Sequence, residues 1–148
     1  MDLHERCTVV FTAQSKYYFF CRDAVCEFVL NQGCVPLNPF QAFGYFLSDR
    51  VDRDLIRRGN FNFLSLSDEL WVFGEKIANG VVAEIIFALE HHKPIRFFSI
   101  SATVDEIAEI PTSALTLEPG EEYDAHQREL LAALFSSEGR AAYGHSRD

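Results

Sequence analysis

The sequence predicts an α/β protein, a doubly wound three-layer α/β/α domain built on a mainly parallel sheet of four or five strands. Short runs rich in β-branched and aromatic residues alternate along the chain with longer stretches whose apolar residues recur at helical spacing. The first strand, helix and second strand also fit within about 30 residues, the length of a parallel βαβ unit. Such apolar strands are buried on both faces, so we expect helices on both sides of the sheet.

The first βαβ unit occupies the start of the chain. Residues 7–12 form an apolar run typical of a buried strand, and residues 17–31 carry a helical stripe of apolar side chains. Ser15 can cap the start of this helix, and Gly33 can end it in the left-handed conformation. Residues 34–37 then form the second predicted strand.

The alternation continues through the second half of the core. The predicted elements are a helix at residues 51–66, a strand at 69–73, a helix at 80–92 and a strand at 95–100. Gly59 is a weak point inside the first of these helices. Gly74 ends the third strand, Asn79 can cap the helix that follows it, and Lys93-Pro94 stops that helix.

The pattern is weaker beyond the fourth strand. Residues 125–135 have the apolar spacing of a last helix, and residues 118–122 are acidic and expected to be exposed. Residues 141–148 are expected to be a frayed tail. The chain of 148 residues therefore predicts one domain, with a core at about residues 7–100 and a helical extension at residues 101–148.

The composition argues against several classes of partner. With 13 Lys and Arg against 22 Asp and Glu, the net charge is −9, which repels nucleic-acid phosphates. No apolar run approaches the roughly 20 residues of a membrane span, and the N-terminus lacks the layout of a signal peptide. The four cysteines lack metal-site spacing and are expected to be reduced thiols. We therefore expect a cytoplasmic protein that binds no nucleic-acid polymer, membrane, metal or cofactor.

The fold class also predicts where a ligand binds. Ligands of open α/β sheets lie beyond the carboxyl ends of the strands, where the strand order reverses. The candidate segments in this chain are residues 12–15, residues 38–40 and residues 74–84. The first of them offers small residues and a helix N-terminus, which suit a hydroxyl or an anion. It lacks the GxGxxG and GxxxxGK patterns of phosphate-binding loops.

Glu84 is the residue best suited to carry chemistry. It falls about one turn into the helix predicted from Gly80, with Val81 and Ala88 on the same side. A carboxylate among apolar neighbours at a crevice is a candidate nucleophile or acid–base group, because desolvation raises its pKa. The alternative is a solvent-facing glutamate that the helix N-terminus stabilises. The spacing alone leaves both interpretations open.

Three stretches of the chain point to a known family. They are the sequence SDELWVFG at residues 67–74, Asn79-Gly80 with Glu84 four residues later, and HKPI at residues 92–95. Together they resemble the nucleoside 2-deoxyribosyltransferase-like superfamily, in particular its small uncharacterised bacterial and phage members, over about residues 8–100. The resemblance implies a flavodoxin-like or Rossmann-like domain that cleaves or exchanges the N-glycosidic bond of a nucleoside or nucleoside monophosphate.

The resemblance also implies residue roles. Glu84 matches the glutamate that attacks the anomeric carbon and forms a glycosyl-enzyme intermediate. The first-strand loop of such enzymes contacts base or phosphate, and it maps to Thr12, Ala13, Gln14 and Ser15. The remaining substrate-binding residues that the crevice and the resemblance together predict are Asn38, Asn60, Gly74, Asn79 and Gly80. Relatives often assemble as dimers with shared sites, so a homodimer is expected by analogy.

Two positions depart from the family pattern. Asn60 stands where relatives place a sugar-binding aspartate, eight residues before Asp68, and Ala78-Asn79 replace a second acidic position. An amide can bond a sugar hydroxyl but cannot act as a base. The sequence therefore leaves three functions open: an N-glycosidase or deoxyribosyltransferase, a non-catalytic nucleotide-binding or sensing domain, and a partner-binding module that uses the aromatic residues within 40–46.

Overall fold

The computed structural model describes residues 1–119 and 122–136, apart from the side chains of Phe46 and Ser48. The strands are β1 Val9–Gln14, β2 Val35–Leu37, β3 Glu69–Phe73, β4 Lys76–Ile77, β5 Ile95–Phe98 and β6 Thr116–Leu117. The α-helices are α1 Arg22–Asn31, α2 Pro39–Phe43, α3 Arg53–Leu66, α4 Asn79–Glu90 and α5 Ala125–Phe135. Short 3-10 helices lie at Lys16–Cys21, Phe46–Asp49, Val104–Glu106 and Thr112–Ala114.

Four strands form the central sheet, in the order β2-β1-β3-β5, and every pair is parallel. Thr12 of β1 lies opposite Trp71 of β3, and Phe73 of β3 lies opposite Phe98 of β5. The chain adds β2 on one side of β1 and then crosses back to add β3 on the other, so the strand order reverses between β1 and β3. The predicted parallel α/β fold is confirmed.

Helices cover both faces of this sheet because successive side chains of each buried strand point to opposite faces. On one face, α1 packs through Val25 and Val29 against a layer that includes Trp71 and Phe98. The other face carries Phe11, Ala13, Leu70 and Val72, and it packs against α3, α4 and α5. These two apolar clusters make the three layers that the sequence predicts.

The end of β1 differs from the prediction. Residues 12–15 are expected to form a turn, but β1 continues through Gln14, which lies opposite Phe73 of β3. Over this extension β1 pairs with β3 alone, and the ladder hydrogen bonds gained at Ala13 and Gln14 outweigh the small and polar side chains. Ser15 Oγ accepts the Tyr17 amide at 3.3 Å and caps the 3-10 helix Lys16–Cys21, so the helix predicted at residues 17–31 is divided into this 3-10 helix and α1.

A second, two-stranded sheet was not predicted. β4 lies in the predicted loop after β3 and pairs in parallel with β6, so that Lys76 faces Thr116 and Ile77 faces Leu117. Strands of two residues show no periodicity, so the sequence contains no signal for them. The pairing fixes the C-terminal part of the chain beside the start of α4.

The last helix, α5, has the bounds that the sequence predicts. Asp124 and Gln127 form a capping box at its start, and Leu131 and Leu134 are buried in the same core cluster as α4. Residues 141–148, predicted to be a frayed tail, lie outside the described residues. No helix in the described ranges has the length and hydropathy needed to cross a membrane.

Candidate functional site

A cleft of about 900 Å³ opens at the carboxyl end of β1, close to the point where the strand order reverses. Its walls come from residues 14–17, from one side of α3, from one side of α4 along its whole length and from the segment before and at the start of α5. The sheet and the β4–β6 pair hold these walls in place. A concave site of this size and position is suited to a ligand as large as a nucleoside.

Glu84 lies in the second turn of α4 and lines the cleft. The side chain is partly buried, and within the described residues its carboxylate accepts no hydrogen bond and forms no ion pair. Loss of contact with water penalises the charged form and raises the pKa of Glu84 to about 8. The structure therefore places Glu84 in the cleft and not on the solvent-facing side of the helix.

Two asparagines leave unused acceptors in the same cleft. The Oδ1 atoms of Asn60, on α3, and Asn79, on α4, are buried and have no hydrogen-bond partner. An unsatisfied buried polar atom costs about 1–3 kcal/mol, so folded proteins rarely keep one without a functional reason. Both side chains line the cleft, and rotation of either one would bring its oxygen to a donor of a bound ligand, such as a sugar hydroxyl.

The prediction that Asn79 caps the start of α4 is wrong. The N-cap residue is Ala78, and Asn79 is the first residue of the helix, so the Asn79 side chain does not cap it. The backbone N–H of Asn79 instead donates to Glu118 Oε2 at 2.9 Å. The short β4–β6 pair brings Glu118 to this position, and the Asn79 side chain is not used to cap the helix.

Aromatic rings form an apolar part of the cleft. Phe61 of α3 and Phe87 of α4 both line it, with ring centroids 5.3 Å apart and planes tilted by 39°. His91 stacks on Phe87 at 4.0 Å. Tyr17 lines another part of the cleft and is 78% exposed. Flat aromatic surfaces of this kind bind the faces of nucleobases.

The C-terminal segment supplies a wall that the sequence does not predict. Glu118, Glu122, Tyr123 and Gln127 line the cleft and belong to the same chain as Glu84. The capping box at Asp124 marks where α5 begins, but nothing in residue spacing indicates which surface this helix covers. The resemblance also ends at about residue 100, before this wall begins.

Six of the ten predicted site residues lie at the cleft, and four do not. Those that line it are Gln14, Ser15, Asn60, Asn79, Gly80 and Glu84. Thr12, Ala13, Asn38 and Gly74 are not among the described residues that line it. Ala13 is 2% exposed and belongs to the core because β1 extends past it, and Gly74 ends β3 with a φ of 109°, next to Ile100.

Thr12 and Asn38 belong instead to a buried amide network. Asn38 Nδ2 donates to Thr12 Oγ1 at 2.8 Å and to Gln14 Oε1 at 2.9 Å. Gln14 Nε2 donates to the carbonyl of Tyr18 at 2.7 Å. Asn38 Oδ1 also caps α2 by accepting the amide of Phe40 at 2.9 Å. The network therefore ties the ends of β1 and β2 to the 3-10 helix Lys16–Cys21, which carries Tyr17 into the cleft.

Asn38→Ala is expected to destabilise the protein by about 2–4 kcal/mol, because it removes a helix cap and leaves buried polar groups of Thr12 and Gln14 without partners. Urea denaturation measures the change in the free energy of unfolding. The matched control is Asn31→Ala, at the exposed end of α1, which should change that free energy by less than about 0.5 kcal/mol. Equal effects of the two substitutions would contradict the structural role of the network.

The described residues bring no three His, Cys, Asp or Glu side chains together as a metal site would. All four cysteines are free thiols, and burial raises the pKa of Cys26 to about 11.

The comparisons with known proteins assign a family. No curated protein and no solved structure matches the chain. Residues 13–98 match the model of a family described as "Domain of unknown function (DUF7768)". The matched range contains Asn60, Asn79 and Glu84 and ends before the C-terminal wall of the cleft. Since this range is more than half of the chain, the protein belongs to the DUF7768 family.

Proposed function

We propose that the protein cleaves the N-glycosidic bond of a nucleoside or nucleoside monophosphate, with Glu84 as the nucleophile. The observation that carries the proposal is the Glu84 carboxylate, partly buried without a partner in a cleft that also holds the unsatisfied oxygens of Asn60 and Asn79. The resemblance of residues 67–74 and 79–84 to nucleoside 2-deoxyribosyltransferase-like proteins supports the same function.

The chemistry requires an ionised Glu84. One carboxylate oxygen attacks C1′ of the sugar, the C–N bond breaks, and its electron pair goes to the base, which takes a proton from water. Water then attacks C1′ of the glycosyl ester, releases the free sugar and restores the carboxylate. A second base in place of water gives a transferase. Asn60 and Asn79 would accept hydrogen bonds from the sugar, and Phe61 and Phe87 would contact the base.

The proposal is tested with a panel of ribonucleosides, 2′-deoxynucleosides and their 5′-monophosphates. We expect at least one of them to release free base, detected by chromatography, and mass spectrometry of the quenched enzyme to find a pentosyl group on the peptide that contains Glu84. Adding a second base distinguishes transfer from hydrolysis. If every compound stays intact over an overnight incubation with stoichiometric enzyme, the proposed reaction is wrong.

The second candidate is a non-catalytic nucleoside-binding or nucleotide-binding domain. It is favoured by the raised pKa of Glu84, because a carboxyl group with a pKa of about 8 is mostly protonated at neutral pH and can donate a hydrogen bond to a bound ligand. Under this alternative, calorimetry would detect binding of a panel member without release of base.

The homodimer remains a prediction, and light scattering would test it.

A further inference from the structure

A carboxylate of the chain itself occupies the start of α4. Glu118 Oε2 accepts the backbone N–H of Asn79 at 2.9 Å, and the N-cap residue Ala78 has no side chain that could do so. A helix N-terminus carries a partial positive charge and unpaired N–H groups, so it is where a protein most readily binds an anion. In this cleft Glu118 already accepts the first of these N–H groups, that of Asn79.

Backbone hydrogen bonds on both sides hold Glu118 there. The amide of Thr116 donates to the Glu75 carbonyl at 2.9 Å, and the amide of Glu118 donates to the Ile77 carbonyl at 2.9 Å. Glu118 therefore directly follows a strand that is fixed beside the start of α4, and its carboxylate reaches the helix from an anchored backbone. A ligand would have to displace it to reach the Asn79 amide.

The remaining charges of the cleft are also unfavourable for an anion. Besides Glu118, the exposed carboxylates of Glu90 and Glu122 line the cleft. Lys16 and Arg57 are the cations among its described lining residues. Arg57 also lies 3.6 Å from Asp54 on the surface of α3. A phosphate group would meet more negative than positive side chains here.

We propose that Glu118 makes the cleft selective for uncharged substrates, so that a nucleoside with a free 5′-hydroxyl is used in preference to its 5′-monophosphate. This inference rests on the proposed function and specifies the substrate class of the same site. Glu118 acts by occupying the helix N-terminus and by repelling the phosphate dianion. It is a specificity-determining residue and takes no part in bond cleavage.

The test compares kcat/KM for each nucleoside and its 5′-monophosphate in the wild-type protein and in Glu118→Gln. Glutamine can still accept the Asn79 N–H, so the helix start is kept while the charge is removed. We expect the wild type to prefer the nucleoside, and the ratio to shift toward the monophosphate by about tenfold in the variant. The matched control, Glu75→Gln, removes the same charge from the neighbouring turn without touching the helix start, and it should leave the ratio unchanged.

A binding measurement separates this inference from the proposed function. Calorimetry with nucleoside and monophosphate is done in the Glu84→Gln background, with and without Glu118→Gln, so the ligands are not consumed. Tighter binding of the monophosphate than of the nucleoside when Glu118 is present overturns the role of Glu118. A ratio of the two affinities that Glu118→Gln leaves unchanged overturns it as well. If the affinities show the expected ratio but the wild-type protein releases base from no substrate of the panel, only the proposed reaction is overturned. Binding of neither ligand overturns both.

Discussion

Glu84→Gln is expected to lower the rate of base release by about 1,000-fold or more, because it removes the atom that forms the bond to C1′. Glutamine has almost the same shape and leaves the amides of Asn60 and Asn79 in place. Nucleoside binding should therefore persist while turnover is lost. Single-turnover kinetics with the fastest substrate of the panel measure the loss in kcat, and calorimetry measures the retained affinity.

The matched control for this substitution is Glu90→Gln. Glu90 is the last residue of α4 and lines the same cleft, but it is exposed and lies six residues beyond Glu84, so the variant makes the same substitution away from the proposed reaction centre. Its loss of rate should be much smaller. Comparable losses in both variants would show that the charge of the cleft matters and that Glu84 is not the nucleophile. Base release that persists in Glu84→Gln would also contradict the proposed role.

The fold could be predicted from the sequence because its main helices and strands are long enough to show a regular spacing of apolar residues. The strand at residues 69–73 and the helix at residues 125–135 have the predicted bounds, since each is an uninterrupted apolar pattern. The short elements were missed. Helix α2 has five residues and the β4 and β6 strands have two each, so their existence depends on contacts made after folding.

The candidate site was predicted in part, for reasons that differ from residue to residue. The positions of Glu84 and Asn79 at the cleft could be predicted because the sequence pattern gives the start of α4 to within one residue. The start of a helix fixes the direction of each side chain along it. Asn38 was placed at a strand end by its position in the chain, but its amide is consumed by Thr12 and Gln14. Glu118 reaches the cleft through a strand pair between distant residues, and no local pattern encodes such a contact.

Base release is expected to rise with pH, because attack on C1′ requires the ionised form of Glu84. Burial raises the pKa of this carboxyl group to about 8, so only about 1% of it is ionised at pH 6. The value of kcat/KM should therefore increase by about 100-fold from pH 6 to a plateau above about pH 9. The measurement is kcat/KM from pH 5.5 to 9.5 for a substrate whose base does not titrate in this range.

The stability of the protein provides an independent check on the origin of this rise. The pKa of Glu84 is higher in the folded protein than its ordinary value of 4.5, so the folded state holds this proton more tightly. Its contribution to stability is complete below pH 4.5 and is lost as the pH rises through about 8. Activity should increase over the same range in which this contribution falls, so greater stability cannot explain the increase. A maximum of activity near pH 5.5 would instead mean that Glu84 acts in its protonated form, and it would contradict the nucleophilic mechanism.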